Sequence, residues 1–197
     1  MHVSVPRQTL ADAVLPRSGL LQNVVLILIF SLGTAISAQA AFHLPFTPVP
    51  ITLQTLLVLL TGAVLGSRMG ALTLIAYLGE GAVGLPVFAG GQSGLVYMAG
   101  PTGGYLVGFV AAAWLVGYLS ERAWDRRLWR TAVAMVAGSL VIYLGGCAWL
   151  AVLTGRSLDG VLALGMYPFL IGDAYKIVVA AIALPGAWGL LGLVRRG

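Results

Sequence analysis

Charged side chains are what this sequence has least of: Asp, Glu, Lys and Arg together make up 9% of its 197 residues, against 59% hydrophobic. With a mean hydropathy of +0.98, too few polar groups remain to cover the surface of a soluble domain, so the chain belongs in a lipid bilayer. The single cysteine, Cys147, excludes a disulfide framework and a cysteine metal site; it lies in an apolar stretch and reads as a core residue. No GxxxxGK[ST] loop is present, which excludes nucleotide hydrolysis by that route within this chain. Lysine occurs once, at Lys176.

What is present is apolar length. About 20 apolar residues cross a bilayer, so the chain has room for roughly six crossings, short loops and no extramembrane domain. One integral membrane domain over residues 1–197 is expected, all-α, with spans at about 20–42, 51–67, 69–85, 103–120, 131–153 and 168–194. A further apolar piece, Val161 to Phe169, is too short to cross; it is either interfacial or an early start of the sixth span. With six spans the arginines segregate. Arg7, Arg17, Arg68, Arg122, Arg126, Arg127, Arg130, Arg195 and Arg196 fall on one side and Arg156 alone on the other, which predicts that both termini are cytoplasmic. The net charge of +5 therefore reads as topology, not as nucleic-acid binding. A cleaved signal peptide ending at Ala38-Gln39-Ala40 is the alternative for the N-terminus, but removing the first span upsets the arginine alternation.

Lys176 and Asp173 stand apart from this pattern, being inside the apolar run from Phe169 to Val194. An ionisable group at the centre of a membrane helix costs about 2.5 to 3.5 kcal/mol on insertion scales, so the pair answers to a need beyond packing. Spaced i, i+3, the two share a helix face with Phe169, Gly172 and Ala180, and that face is expected to look into the bundle. At 1.5 Å per residue they lie about 8 to 12 Å below the outer end of the last span. A structural salt bridge between helices is one reading. A polar ligand site is the other, favoured because Gly172 removes bulk beside the pair and because polar groups converge on the same side.

Two outward loops supply those groups. His43 to Gln54 contains Pro45, Pro48 and Pro50, which makes a stiff extended cover. Gly84 to Tyr105 is rich in glycine, with Gln92, Ser93, Thr102 and Tyr105 as its strong side-chain hydrogen bonders. Its backbone can approach a small ligand closely where it lines a cavity, or it can be a plain flexible loop. Small residues recur every four positions at Gly62-Gly66-Gly70, Gly100-Gly104-Gly108 and Gly33-Ser37-Ala41, with Thr34-Ala38 beside the last. They let helix backbones approach, within the chain or against another membrane subunit. Glu80, near the outer end of the third span, can reach the interface and is given no role.

Four segments in order, Pro45 to Leu56 (PFTPVPITLQTL), Gly84 to Gly91 (GLPVFAGG), Gly100 to Tyr105 (GPTGGY) and Gly172 to Lys176 (GDAYK), resemble the signatures of the BioY family, the biotin-specific substrate-binding (S) components of energy-coupling factor (ECF) transporters. The resemblance covers the chain from about residue 21 to its end. It implies a six-helix bundle in a bacterial or archaeal cytoplasmic membrane that binds biotin in an outward-facing pocket. Delivery would use a separate transmembrane coupling subunit and two ATP-binding-cassette ATPases; no metal or cofactor and no enzymatic activity is implied. By matching motif it points to Asp173, Lys176 and Gln92, the residue after the Gly90-Gly91 pair, as ligand contacts. Gln92 is larger than the residue usual at its position. Docking to the coupling subunit is implied for Thr34 and Ala38, without a clean alanine-to-alanine spacing of four.

The chemistry of biotin suits these residue types. Its ureido head has two N–H donors and one carbonyl, so Asp173 can accept from an N–H and Lys176 can donate to the carbonyl. The carboxylate would then lie nearer the mouth, against Gly91, Thr102, Tyr105 and backbone N–H groups. The competing assignment makes Lys176 the counter-ion of the carboxylate, and the sequence leaves the two open. Two rival functions also have a footing in these residues. A self-sufficient ion-coupled carrier of biotin or a related vitamin would relay a proton through Asp173 or Glu80. The Gly91-Gln92-Ser93-Gly94 stretch also matches the GxSG of rhomboid-like intramembrane proteases. Their base is a histidine on a later helix, whereas His2 and His43 both precede Ser93.

Overall fold

A computed structural model describes residues 8–15 and 19–194. Arg7, Arg17, Arg195, Arg196 and His2 lie outside the described residues. Nine helices are present among those described: α1 (Leu10–Val14), α2 (Leu20–Gln39), α3 (Gln54–Leu65), α4 (Ser67–Ala82), α5 (Gly94–Met98), α6 (Gly103–Ser120), α7 (Leu128–Thr154), α8 (Leu158–Gly165) and α9 (Leu170–Val194).

The long helices follow the apolar runs. Four stretches, Leu20–Gln39, Gly103–Ser120, Leu128–Thr154 and Leu158–Val194, are long and apolar enough to cross a membrane. Two expected spans come out shorter, because α3 has 12 residues and α4 has 16. The expected second span began at residue 51, but Ile51 and Thr52 are extended and helix starts only at Gln54. The Val161 to Phe169 piece is the end of α8 and a 3-10 turn at Tyr167–Phe169, ahead of α9.

A small correction to an all-helical fold comes from the loop between α2 and α3. Strands β1 (Ala41–Phe42) and β2 (Ile51–Thr52) pair antiparallel, Ala41 opposite Thr52 and Phe42 opposite Ile51. The proline-rich cover between them is pinned rather than free: Val49 is buried, and the Thr47 hydroxyl donates to the Leu164 carbonyl of α8 at 2.6 Å.

Helix α6 is the centre of the bundle, packed against α3, α4 and α7. Small residues set those approaches. A Cβ on Gly62 would come within 2.2 Å of the Ala113 carbonyl oxygen, and one on Gly104 within 2.3 Å of the Gly145 carbonyl oxygen. At these positions the small residue is spent on packing within the chain, whereas a Cβ on Gly33 would meet nothing within 4 Å. Outward faces are apolar: on α2, Leu20, Leu21, Val24, Leu28, Leu32 and Ile36 are 42–79% exposed, as expected of side chains that meet lipid rather than water. At the opposite end of the bundle from the hairpin, the Glu121 carboxylate accepts from the Ser67 N–H and hydroxyl, both at 2.7 Å. It caps α4, where orphan N–H groups favour an anion.

Candidate binding site

Near the hairpin end, α3, α6, α7 and α9 leave a cavity. Leu106, Phe109, Ile142 and Phe169 form apolar walls, and Asp173 and Lys176 lie among its polar lining. The helix face predicted to look inward does so. Phe169, Asp173 and Ala180 are buried, and the Lys176 ammonium donates to Asp173 Oδ1 at 2.8 Å.

The pair is not alone. Thr55, in the first turn of α3, accepts from Lys176 Nζ at 2.9 Å and donates to Asp173 Oδ1 at 3.3 Å. Tyr143 of α7 donates to the other carboxylate oxygen, Oδ2. Both oxygens of Asp173 thus meet protein donors, and three helices converge on one charge. A buried ion pair is tolerated when its remaining hydrogen-bonding capacity is satisfied in this way. The Lys176 ammonium has three protons and two of these partners, and it lines the cavity.

Polar groups also line the walls. Gln54 donates to the Tyr77 hydroxyl at 2.5 Å, which donates to the Val87 carbonyl at 2.8 Å, tying the start of α3 to the second outward loop. Thr102 is buried on the cavity wall, beside the Tyr97 hydroxyl.

Several expected residues sit otherwise than the sequence suggested. Gln92 and Gly91 are exposed and outside the cavity lining, where Ala89 stands instead. The reason is backbone geometry: Gly90 and Gly91 both take left-handed φ, +65° and +75°, so the chain reverses after Ala89 and carries Gln92 outward. Phe88 anchors this turn, fully buried against Gly81 and stacked on Tyr97 with ring centroids 5.4 Å apart. Tyr105 lines the cavity with its ring, but its hydroxyl donates to the Gly165 carbonyl at 2.7 Å and so braces α8. Gly172 is not needed for space, since a Cβ there would meet nothing within 4 Å.

Thr34 and Ala38 are also placed differently from an open docking surface. Both are fully buried, on the face of α2 that carries Ser31, Ala35 and Ser37, and the Thr34 hydroxyl donates back to the Phe30 carbonyl at 2.8 Å. That face packs against α4, where Glu80 accepts from the Ser31 hydroxyl at 2.5 Å. Glu80 is thus a helix-pairing acceptor rather than a group merely reaching the interface.

Thr55 and Tyr143 are site residues that the sequence did not mark. Thr55 lay inside a motif already noted, one residue beyond the loop that was read as polar. Tyr143 carried no local signal, being one aromatic in a long apolar run, and only its distance across the bundle reveals it.

The family pattern described as "BioY family" matches residues 7–192. Among similar proteins are the "Biotin transporter BioY" of Rhizobium etli, 38% identical over 169 residues covering 82% of this chain and 90% of that one. The "Probable biotin transporter BioY" of Pyrococcus horikoshii is 38% identical over 161 residues, 82% of this chain and 93% of that one. A solved structure described as the S-component for biotin from an ECF-type ABC transporter superposes with a TM-score of 0.76. It is 23% identical and covers 84% of this chain and 89% of its own, a likeness of fold. With a multi-pass apolar bundle, a buried ion pair facing a cavity and a match over nearly its whole length, this chain belongs to the BioY family.

Proposed function

We propose that this chain is the biotin-specific substrate-binding subunit of an ATP-driven ECF transporter and takes up biotin across the cytoplasmic membrane. The observation that carries the reading is the Asp173–Lys176 pair held at the cavity by Thr55 and Tyr143. A carboxylate acceptor and an ammonium donor one helical turn apart match the adjacent N–H and C=O of a ureido ring. Apolar walls beside them suit the sulfur ring and the aliphatic chain. The ureido head then meets Asp173 and Lys176, and the carboxylate lies toward the mouth near Thr102.

Six crossings fit this chain if α3 and α4 span with help from the non-helical backbone at their outer ends, which lines the cavity. Arg68, Arg122, Arg126, Arg127 and Arg130 then share the cytoplasmic side, with Arg156 outside and both termini inside. Import would draw on a separate coupling subunit and two ATPases. Gln92 and Gly91 would reach the ligand only if the second loop folds inward on binding, and Thr34 and Ala38 would affect docking through the packing of α2 on α4.

Calorimetry of the detergent-purified protein with biotin, desthiobiotin and an unrelated vitamin tests the reading. Biotin should bind tightly, desthiobiotin more weakly because it keeps the ureido ring but lacks the sulfur ring, and the unrelated vitamin not at all. Equal or absent binding of all three would reject it.

A further inference from the structure

The break between α6 and α7, Glu121 to Arg127, looks electrically mixed in sequence, with two acids among its arginines. In three dimensions the acids are withdrawn. Glu121 is spent capping α4. Asp125 is buried, with its Oδ2 accepting from the Trp188 indole N–H at 2.6 Å. Of the arginines, Arg126 is half-buried, its guanidinium over the Trp188 ring at 4.2 Å and donating to the Gln8 carbonyl, whereas Arg122 and Arg127 are exposed. Among the described residues no carboxylate pairs with Arg122. Instead its guanidinium carbon lies 3.3 Å from the centroid of the Tyr118 ring, and Nη1 donates to the Tyr118 carbonyl at 2.9 Å.

Tyr118 in turn stacks on Trp114, with centroids 5.4 Å apart and planes 20° from parallel. Trp114 and Tyr118 are i, i+4 neighbours on the outer face of α6, and Arg122, in the turn just past its end, stacks on the second ring, so the three groups form one ladder. That face is open: Trp114 is 48% and Tyr118 38% exposed. At 1.5 Å per residue the ladder runs about 12 Å, from the end of the helix into the apolar zone. Arg130 over Trp129 repeats the arginine-on-aromatic arrangement across the same break, with Trp129 exposed.

A fixed cation above a flat aromatic wall is complementary to a molecule with an anionic head and an apolar tail. We infer that the Arg122–Tyr118–Trp114 ladder is a binding site for an anionic phospholipid of the cytoplasmic leaflet. The guanidinium holds the phosphate, and an acyl chain lies along the two rings. The ladder is lateral to the biotin cavity and uses none of its residues. It rests on the proposed topology only in being assigned to the cytoplasmic leaflet.

The test is native mass spectrometry of the full chain, delipidated in detergent and titrated with phosphatidylglycerol or phosphatidylcholine. Phosphatidylglycerol should bind more tightly. Arg122→Gln should reduce that preference about fivefold, the contribution of one surface arginine. Arg122→Lys, which keeps the charge and loses the planar stack, should fall between, and Arg156→Gln, on the opposite side, should change nothing. Calorimetric biotin affinity serves as the check that each variant is folded, and it should not move. Equal binding of the two lipids, or a preference that survives Arg122→Gln, overturns the assignment. So does displacement of phosphatidylglycerol by inorganic phosphate at equal concentration, which would make this a bare anion site. Loss of coupling-subunit co-purification in Arg122→Gln without any lipid preference would also overturn it, giving the ladder to a protein partner.

Discussion

Replacing Asp173 by alanine is the most demanding test of the site, because it separates what the carboxylate does for the fold from what it does for the ligand. The carboxylate receives the Lys176 ammonium at 2.8 Å, the Thr55 hydroxyl at 3.3 Å and the Tyr143 hydroxyl. Without it the ammonium keeps only Thr55 as an acceptor among the described residues. Orphaning one member of a buried pair costs about 3 to 5 kcal/mol of stability. The Lys176 side chain is 14% exposed, through the cavity, so water can reach it and the lower end of that range applies. The ligand loses the acceptor for a ureido N–H, and a desolvated donor without a partner costs at least about 2 kcal/mol, roughly a 30-fold rise in Kd. Thermal unfolding and calorimetry in one detergent read both effects. The double variant Asp173→Ala/Lys176→Met removes the orphaned charge, so thermal stability should largely return while biotin affinity stays lost. If the folded Asp173→Ala protein binds biotin within about threefold of the parent, or the double variant regains affinity, the assignment of the pair to the ligand is wrong.

Tyr143→Phe should weaken biotin binding by roughly tenfold, since it deletes a hydrogen bond to a charged group while keeping the ring on the cavity wall; calorimetry checks it. Gln92→Ala should leave Kd within about twofold, as expected for an exposed side chain, and a loss beyond tenfold would show the second loop closing over the ligand. Gly62→Val should lower thermal stability by about 1 to 3 kcal/mol or prevent folding, because the added atoms meet the Ala113 carbonyl; its melting curve against that of Gly33→Val, where a Cβ meets nothing within 4 Å, is the measurement. Burial raises the pKa of Asp125, in the loop after α6, above its ordinary 3.8, partly opposed by its hydrogen bond from Trp188. The folded state therefore holds that proton more tightly than the unfolded one. The contribution is fully present below the unfolded pKa and is lost as pH rises through the raised folded value. Asp125→Asn should remove that part of the pH dependence of the melting temperature.

Each part of the site was legible in sequence to the degree that its signal was local. Asp173 and Lys176 announce themselves because charge inside an apolar run is costly whatever the fold, and their i, i+3 spacing places both on one face before any contact is known. The proline cover and the glycine loop were readable as segments between the apolar runs. Their contributions were not, because the left-handed φ of Gly90 and Gly91 decides that Ala89 rather than Gln92 faces the cavity. Tyr105 shows the same limit: its ring lines the cavity, but its hydroxyl is taken by Gly165, 60 residues away in sequence.

By itself the sequence determined that the chain lives in lipid, that a buried acid and ammonium sit together on the last helix, and that its motifs follow those of a biotin-binding family in order. These are properties of composition, helical period and covalent order, which need no neighbours. Only the tertiary structure decided which partners hold the pair. It decided too that Thr34 and Ala38 face inward, and that Glu121 and Asp125 turn away and leave Arg122 unpaired on its aromatic ladder. Those outcomes depend on which helices pack together, and packing brings together residues that no local rule of spacing relates.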